Sequence, residues 1–195
     1  MIVTGRGFWF DDTGEGMPYG WPRSLAEWIA EYLSRDKTVP IYDFGCGPGN
    51  FLQVLSEAGF TRLTGYEGAP MAVERRAYTR IVEQDISVPF TVPEPGHVLC
   101  LEVLEHVPEP LLPAALDNIA RAVELGHHLI ASWAVRGQTG VGHVSERDNY
   151  EAIAQIQARG LTLLEEATRQ ARSGDYGAQG CPWFNNTLLV FGKGR

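Results

Sequence analysis

The sequence predicts an α/β fold: a seven-stranded, mostly parallel sheet with helices on both faces and an antiparallel last strand. Strand-length apolar runs alternate with segments of helical period, the pattern of strands crossing over through helices. A glycine-rich turn, Gly45-Cys46-Gly47-Pro48-Gly49, follows the first run. No helix-length segment is clear between the last two runs, so the final pair is expected to be antiparallel.

Taken in order, residues 1–21 are rich in glycine and aromatics and read as an irregular arm or lid on a single domain of residues 1–195. Phe8-Trp9-Phe10, Tyr19 and Trp21 either close over a site or pack as a tail. A first helix is predicted from Pro22 to Ser34, with Leu25, Trp28, Ile29, Tyr32 and Leu33 at helical spacing. Val39 to Phe44 is the first strand. Asn50 to Ala58 is a helix stopped by Gly59, a residue suited to the left-handed turn that ends helices. Leu63–Tyr66 is the second strand, 70–78 a helix, and Ile81–Glu83 the third strand. His97–Leu101 is nearly all apolar, as a central parallel strand is. A helix over Leu111–Val123 puts Leu116, Ile119, Ala120 and Val123 on one face. His128–Trp133 is the fifth strand. A glycine-rich loop, 137–142, leads to His143. Ser145-x-x-Asp148 resembles a capping box for a helix that Gly160 closes. Leu161–Leu164 and Thr187–Phe191 are the last strands, with a helical turn at 168–173.

The 195 residues carry a formal net charge of −8, and the 16 basic residues are scattered, with Arg75-Arg76 the one adjacent pair. Nucleic-acid backbones are gripped by clustered Lys and Arg, so a nucleic-acid partner is disfavoured. The three cysteines, Cys46, Cys100 and Cys181, form no Cys-x-x-Cys pair, which argues against a disulfide framework or zinc knuckle, and no metal site is expected. Met1–Asp12 does not read as a secretory leader, and no apolar run approaches membrane-spanning length. Reduced thiols and a cytoplasmic setting are the simpler expectation.

The glycine turn carries the chemistry. Glycines let the chain turn sharply and let a ligand approach bare backbone. The following helix start offers amide donors and a partial positive end, suited to a carboxylate. Asp43 either bonds amides of this turn or touches a ligand. Glu67 ends the second strand, where an acid can accept from both hydroxyls of a ribose. Asp85 follows the third strand and can take an adenine amino group, with the Ile86 amide meeting a ring nitrogen. A dinucleotide fingerprint wants Gly or Ala three residues after Gly47, and Asn50 stands there.

These features in order, completed by Leu101-Glu102-Val103-Leu104-Glu105-His106-Val107, resemble the class I S-adenosylmethionine-dependent methyltransferases. The resemblance implies a Rossmann-like fold over about residues 22 to 192. It implies S-adenosylmethionine as cofactor, S-adenosylhomocysteine as product, and a cofactor site of Asp43, Gly45, Cys46, Gly47, Gly49, Glu67, Gly68, Asp85, Ile86, Leu101 and Glu102. A narrower resemblance, to a little-characterised methyltransferase group, lies in Ser132-Trp133-Ala134, Gly137-Gln138, Gly140, Gly142-His143-Val144 and the 182–188 segment. That group has Asn where this chain has Ser145.

The candidate bases are His106, just past the fourth strand, and His143, past the fifth. The alternatives are that His106 bonds backbone at the turn before Pro108 and that His143 packs on its own loop. His97, His127 and His128 precede strands on the opposite edge and read as structural or surface groups. Trp133, Trp183 and Phe184 either wall the acceptor pocket or belong to the core. Glu102 faces the sulfonium side or carries charge at a strand end, and Glu105 reads as a solvated helix-start acid. The expected activity is oxygen methylation of a small-molecule or sugar-like acceptor with a histidine as base. The other readings are a nucleotide-dependent oxidoreductase and a non-catalytic cofactor-binding module. Adenine-amino and cytosine-C5 enzymes are disfavoured, because neither an Asn/Asp-Pro-Pro-aromatic motif nor a Pro-Cys nucleophile follows the fourth strand.

Overall fold

Strands that alternate their inward residues between two apolar layers build this domain from the centre outwards. In the computed structural model, residues 2–3, 9–10, 20–69 and 76–193 are described. The sheet comprises β1 (Ile41–Phe44), β2 (Leu63–Glu67), β3 (Ile81–Glu83), β4 (His97–Cys100), β5 (His128–Ser132), β6 (Leu161–Leu163) and β7 (Leu188–Lys193). Their order across the sheet is β3-β2-β1-β4-β5-β7-β6. All neighbouring pairs are parallel except those of β7, which runs antiparallel to β5 from His128↔Gly192 to Ser132↔Leu188 and antiparallel to β6. The predicted fold class is therefore observed.

The period of two sorts the strand side chains. Ile41, Leu63, Leu99, Ile130, Leu188 and Val190 face one layer. There they meet α1 (Arg23–Tyr32), α2 (Asn50–Glu57) and α5 (Glu165–Ala171) through Leu25, Ile29, Leu52, Leu55 and Ala167. Tyr42, Phe44, Val98, Cys100, Leu129 and Phe191 face the other layer. There they pack on α3 (Leu112–Ala122) and α4 (Asn149–Gln157) through Leu116, Ile119, Ala152 and Ile156. β1 and β4 are buried throughout because both faces are covered.

Three sequence expectations change. Residues 70–75 of the expected 70–78 helix lie outside the described residues, and Arg76–Tyr78 are not helical. The box that opens α4 is Asp148 with Glu151, the Asp148 amide donating to Glu151 Oε2 over 3.2 Å. Ser145 is instead buried, its hydroxyl donating to the Val107 carbonyl over 2.6 Å and its amide to the Glu105 carbonyl over 2.9 Å. The turn expected at 168–173 starts earlier, as the helix α5. The arm is mostly outside the described residues, and its described backbone is a two-residue antiparallel pair, Ile2–Val3 with Trp9–Phe10.

β1 neighbours β2 on one side and β4 on the other. The chain order thus reverses at β1, and a crevice opens beyond its carboxyl end, where open α/β sheets bind ligands.

Candidate functional site

The crevice holds a cavity of about 470 Å³, within the usual size of a small-molecule site. Its floor is the glycine turn between β1 and α2. Gly45, Gly47 and Gly49 have φ of 78°, 52° and 85°, the left-handed region that costs an L-residue about 1–2 kcal/mol. Gly45 is also hemmed in: a Cβ there would lie 2.5 Å from Val103 Cγ2. Gly65 on β2 makes room for Cys46, whose Sγ would lie 2.4 Å from a Cβ at that position. That close approach had no signal in the sequence.

The turn's amides are mostly spoken for within the protein. Gly45 and Cys46 donate to the Tyr66 carbonyl over 2.8 and 3.2 Å, and Gly49 to the Cys46 carbonyl over 3.0 Å. Gly47 donates to Glu67 Oε2 over 2.7 Å, and Ala69 to Glu67 Oε1 over 2.8 Å. Burial raises the Glu67 pKa and these amides oppose the rise. A carboxylate has about four lone-pair sites, so Glu67 keeps acceptor capacity towards the cavity it lines.

These turn amides donate elsewhere and not to Asp43. The carboxyl is 2% exposed and lines the cavity, and Oδ2 has no hydrogen-bond partner. Burial, reinforced by Glu67, pushes its pKa to about 8. An orphaned buried acceptor on a cavity wall fits a cationic donor from a ligand.

Asp85 closes a tight turn, with Oδ1 accepting from the Ser87 amide over 2.8 Å and the Ser87 hydroxyl over 2.6 Å. Asn118 of α3 holds the next residues from below, donating to the Ile86 and Val88 carbonyls over 2.8 and 2.7 Å. This support is another that local sequence did not show. Asp85, Ile86 and Gly68 line the same cavity as the glycine turn.

The opposite wall comes from the ends of β4 and β5. Glu102 sits at φ 56°, a strained setting for a residue other than glycine. Its amide donates to Ser132 Oγ over 2.7 Å, that hydroxyl donates to Glu102 Oε1 over 2.8 Å, and Gln138 donates to Oε2 over 3.1 Å. Burial raises its pKa against these bonds. Leu101, Glu102, His106 and His143 all line the cavity, so the structure brings both candidate bases to one site.

The two imidazoles meet edge to face with centroids 4.9 Å apart. His106 Nδ1 lies 3.2 Å from the Gly142 carbonyl, a partner from the distant loop and not from the turn before Pro108. Burial lowers its pKa to about 4. His143 Nδ1 lies 2.9 Å from Glu146 Oε1. Glu146 also accepts from the Gly137 and Thr139 amides over 2.8 and 3.0 Å, tying the loop into a ring behind the histidine.

Glu105 corrects the sequence reading. It is 0% exposed and lies in a 3-10 turn, Leu104–His106, under the Val144–Ser145 backbone. Burial and the like charge of Glu102 push its pKa well up. Trp133 is likewise core and not wall: it is 1% exposed and donates to the Ser145 carbonyl over 2.7 Å. Trp21, Trp183 and Phe184 do line the cavity. Phe8 and Tyr19 lie outside the described residues, as do the side chains of Trp9 and Phe10. His97, His127 and His128 cluster at the far edge, with the His97 and His128 rings stacked 5.4 Å apart.

A family model described as a methyltransferase domain matches residues 17–186. The ubiquinone biosynthesis O-methyltransferase of Alkalilimnicola ehrlichii is 31% identical over 136 residues, which cover 64% of this chain and 53% of that protein. The match thus spans about half the length of that curated relative. A sugar N-methyltransferase from a Streptoalloteichus species superposes with a TM-score of 0.65 at 16% identity, over 95% of this chain and 98% of that one. Magnesium protoporphyrin IX methyltransferase from Synechocystis, solved with S-adenosylhomocysteine, gives 0.64 at 18% identity, over 88% and 83%. At such identities the structural likeness speaks to fold.

Proposed function

Because this chain belongs to the methyltransferase domain family, we propose that it moves the methyl group of S-adenosylmethionine to a hydroxyl of a small, sugar-like acceptor. The observation that carries the reading is the His106–His143 pair on the same cavity as the glycine turn. The start of α2 would hold the cofactor's carboxylate, Asp43 its ammonium, Glu67 and Gly68 its ribose, and Asp85 and Ile86 its adenine. Cys46 contributes backbone, as its buried thiol is pushed towards the neutral form. Leu101 and Glu102 would border the sulfonium.

The sulfonium methyl is already activated, so the protein mainly positions the acceptor in line with the sulfur–methyl bond. The acceptor oxygen forms the new bond to carbon while the sulfur–methyl bond breaks and S-adenosylhomocysteine leaves. The hydroxyl proton goes to the His106–His143 pair. Trp21, Trp183 and Phe184 wall the cavity and exclude water. Small-molecule scale suits its size.

Incubation with methyl-labelled S-adenosylmethionine and a panel of hydroxylated small molecules tests the reading. It predicts label in an ether-linked product. Label on nitrogen, or cofactor binding with no turnover on any acceptor, overturns it. Thermal stabilisation by NAD instead of S-adenosylhomocysteine would favour the oxidoreductase alternative.

A further inference from the structure

Glu105, His106 and His143 each offer a ligand atom within 4.8 Å of the other two. We propose that they bind one divalent transition-metal cation at the acceptor end of the cavity.

The first argument is the state of Glu105. Neither carboxyl oxygen reaches full hydrogen-bond geometry, although the side chain is fully buried and only the backbone amides of Glu105 and Ala134 approach it. A buried carboxylate held only by such loose amide contacts is costly, and protonation does not relieve it, because the new O–H needs an acceptor too. The charged groups acting on Glu105 are Glu102 and Glu146, both of its own sign. A cation among them supplies the missing partner and offsets the repulsion.

The second argument is the setting of the histidines. Each points Nδ1 at an oxygen, the Gly142 carbonyl for His106 and the Glu146 carboxylate for His143. These contacts make Nδ1 the donor, so that in the neutral ring Nε2 is the ligand atom. Metal-binding histidines are held the same way, with the second ring nitrogen donating to a carbonyl or carboxylate. Two imidazoles and one carboxylate suit zinc, manganese, cobalt or ferrous ions, and leave coordination positions for an acceptor oxygen. Tetrahedral ligands about 2.1 Å from an ion stand roughly 3.4 Å apart, against the 4.8 Å that bounds the three ligand atoms here, so the side chains draw together on the ion. No metal site is expected from the sequence, because Glu105 and His106 stand 38 and 37 residues before His143 and only the fold of the 137–146 loop brings them together.

The role of the ion rests on the oxygen-transfer reading and changes the histidines' part in it. They hold the cation that acidifies the acceptor hydroxyl, whose proton then leaves to solvent as the oxygen attacks the methyl carbon.

The test is a titration of chelator-treated, desalted protein with cobalt chloride, read by visible absorption and by metal analysis after gel filtration. One saturable equivalent is expected, with at least a tenfold weaker affinity in Glu105→Gln and in His143→Gln. S-adenosylhomocysteine binding and melting temperature, measured on the same samples, report whether each variant is folded. No saturable equivalent in the folded wild type, or unchanged affinity in both folded variants, overturns the site. If Glu105→Gln does not fold, His143→Gln decides alone. Cobalt binding without S-adenosylhomocysteine binding supports the ion and overturns the methyl-transfer reading, and the reverse outcome overturns the ion alone. Chelator-resistant methylation of a hydroxyl by metal-free protein overturns the ion's role.

Discussion

Glu67 at the end of β2 accepts the Gly47 amide over 2.7 Å and so clamps the glycine turn to the neighbouring strand. One carboxylate therefore both shapes the floor of the cavity and lines it. Replacing Glu67 with Gln keeps an oxygen for one amide and loses the charge. The variant is expected to melt within a few degrees of the wild type yet to bind S-adenosylhomocysteine at least tenfold more weakly, by calorimetry. Equal weakening of fold and binding would mean that the clamp is its only role.

Gly45→Ala should fail for a steric reason. The added Cβ meets Val103 at 2.5 Å while the backbone sits at φ 78°. Strain and overpacking together are worth about 2–4 kcal/mol. Denaturant melts should show that loss, and Gly45→Ala with Val103→Ala should recover part of it. Full additivity of the two changes would show that Val103 is not the obstacle.

Asp43 makes cofactor binding depend on pH. Its pKa near 8 in the free protein means that the carboxyl is mostly neutral at pH 7. Glu67, Cys46 and Cys100 are the titratable groups around it. An ammonium placed against it favours the carboxylate, so binding expels a proton. Affinity for S-adenosylhomocysteine should rise with pH towards about 8, by up to ~10-fold per unit, and level off above. Calorimetry in buffers of different ionisation enthalpy should detect proton release that Asp43→Asn abolishes. A pH-independent affinity would remove Asp43 from the ammonium site.

At the far edge, His97 links acidity to stability. Its Nδ1 accepts the His128 amide over 3.0 Å, and burial, with His128 and His127 nearby, holds its pKa down to about 3. The folded pKa lies below the unfolded one of about 6.5, so the unfolded chain takes the proton first. Stability is then full above pH ~6.5 and falls as pH drops towards 3. His97→Asn, whose Oδ1 can replace Nδ1 as acceptor, should flatten that slope in denaturant melts. An unchanged slope would assign acid sensitivity elsewhere.

Gly140 gives a separation of binding from turnover. A Cβ there would fall 2.2 Å from His143 Nε2, so Gly140→Ala must displace the imidazole. S-adenosylhomocysteine affinity should stay within about threefold, while methyl transfer drops by at least about tenfold, in proportion to loss of orientation. Parallel loss of both would place the loop in cofactor binding.

The central strands were legible because they bury both faces and read as apolar runs, and Gly59 and Gly160 marked helix ends where φ is 92° and 82°. Glu67 and Asp85 were legible because they end strands at a fixed distance from the turn. What stayed hidden depends on contacts distant in sequence. Glu105 looks like any acid opening a helix, and its burial goes with the long-range bonds of the Val144 and Ser145 amides to its carbonyl. Ser145-x-x-Asp148 and Asp148-x-x-Glu151 fit the same capping pattern, and the first is ruled out by the Ser145 bonds to Val107 and Glu105. The Glu102-x-x-Glu105-His106 spacing was the available clue to a polar cluster past β4.

Every methyl-transfer role proposed for these residues requires the cavity at the end of β1 to be an S-adenosylmethionine site. Calorimetric titration of S-adenosylhomocysteine into the wild-type protein tests it most directly. One saturable site is expected, lost when Glu67 is changed to Ala in a variant that remains folded. No heat of binding to the wild type, or binding that survives Glu67→Ala undiminished, would contradict it.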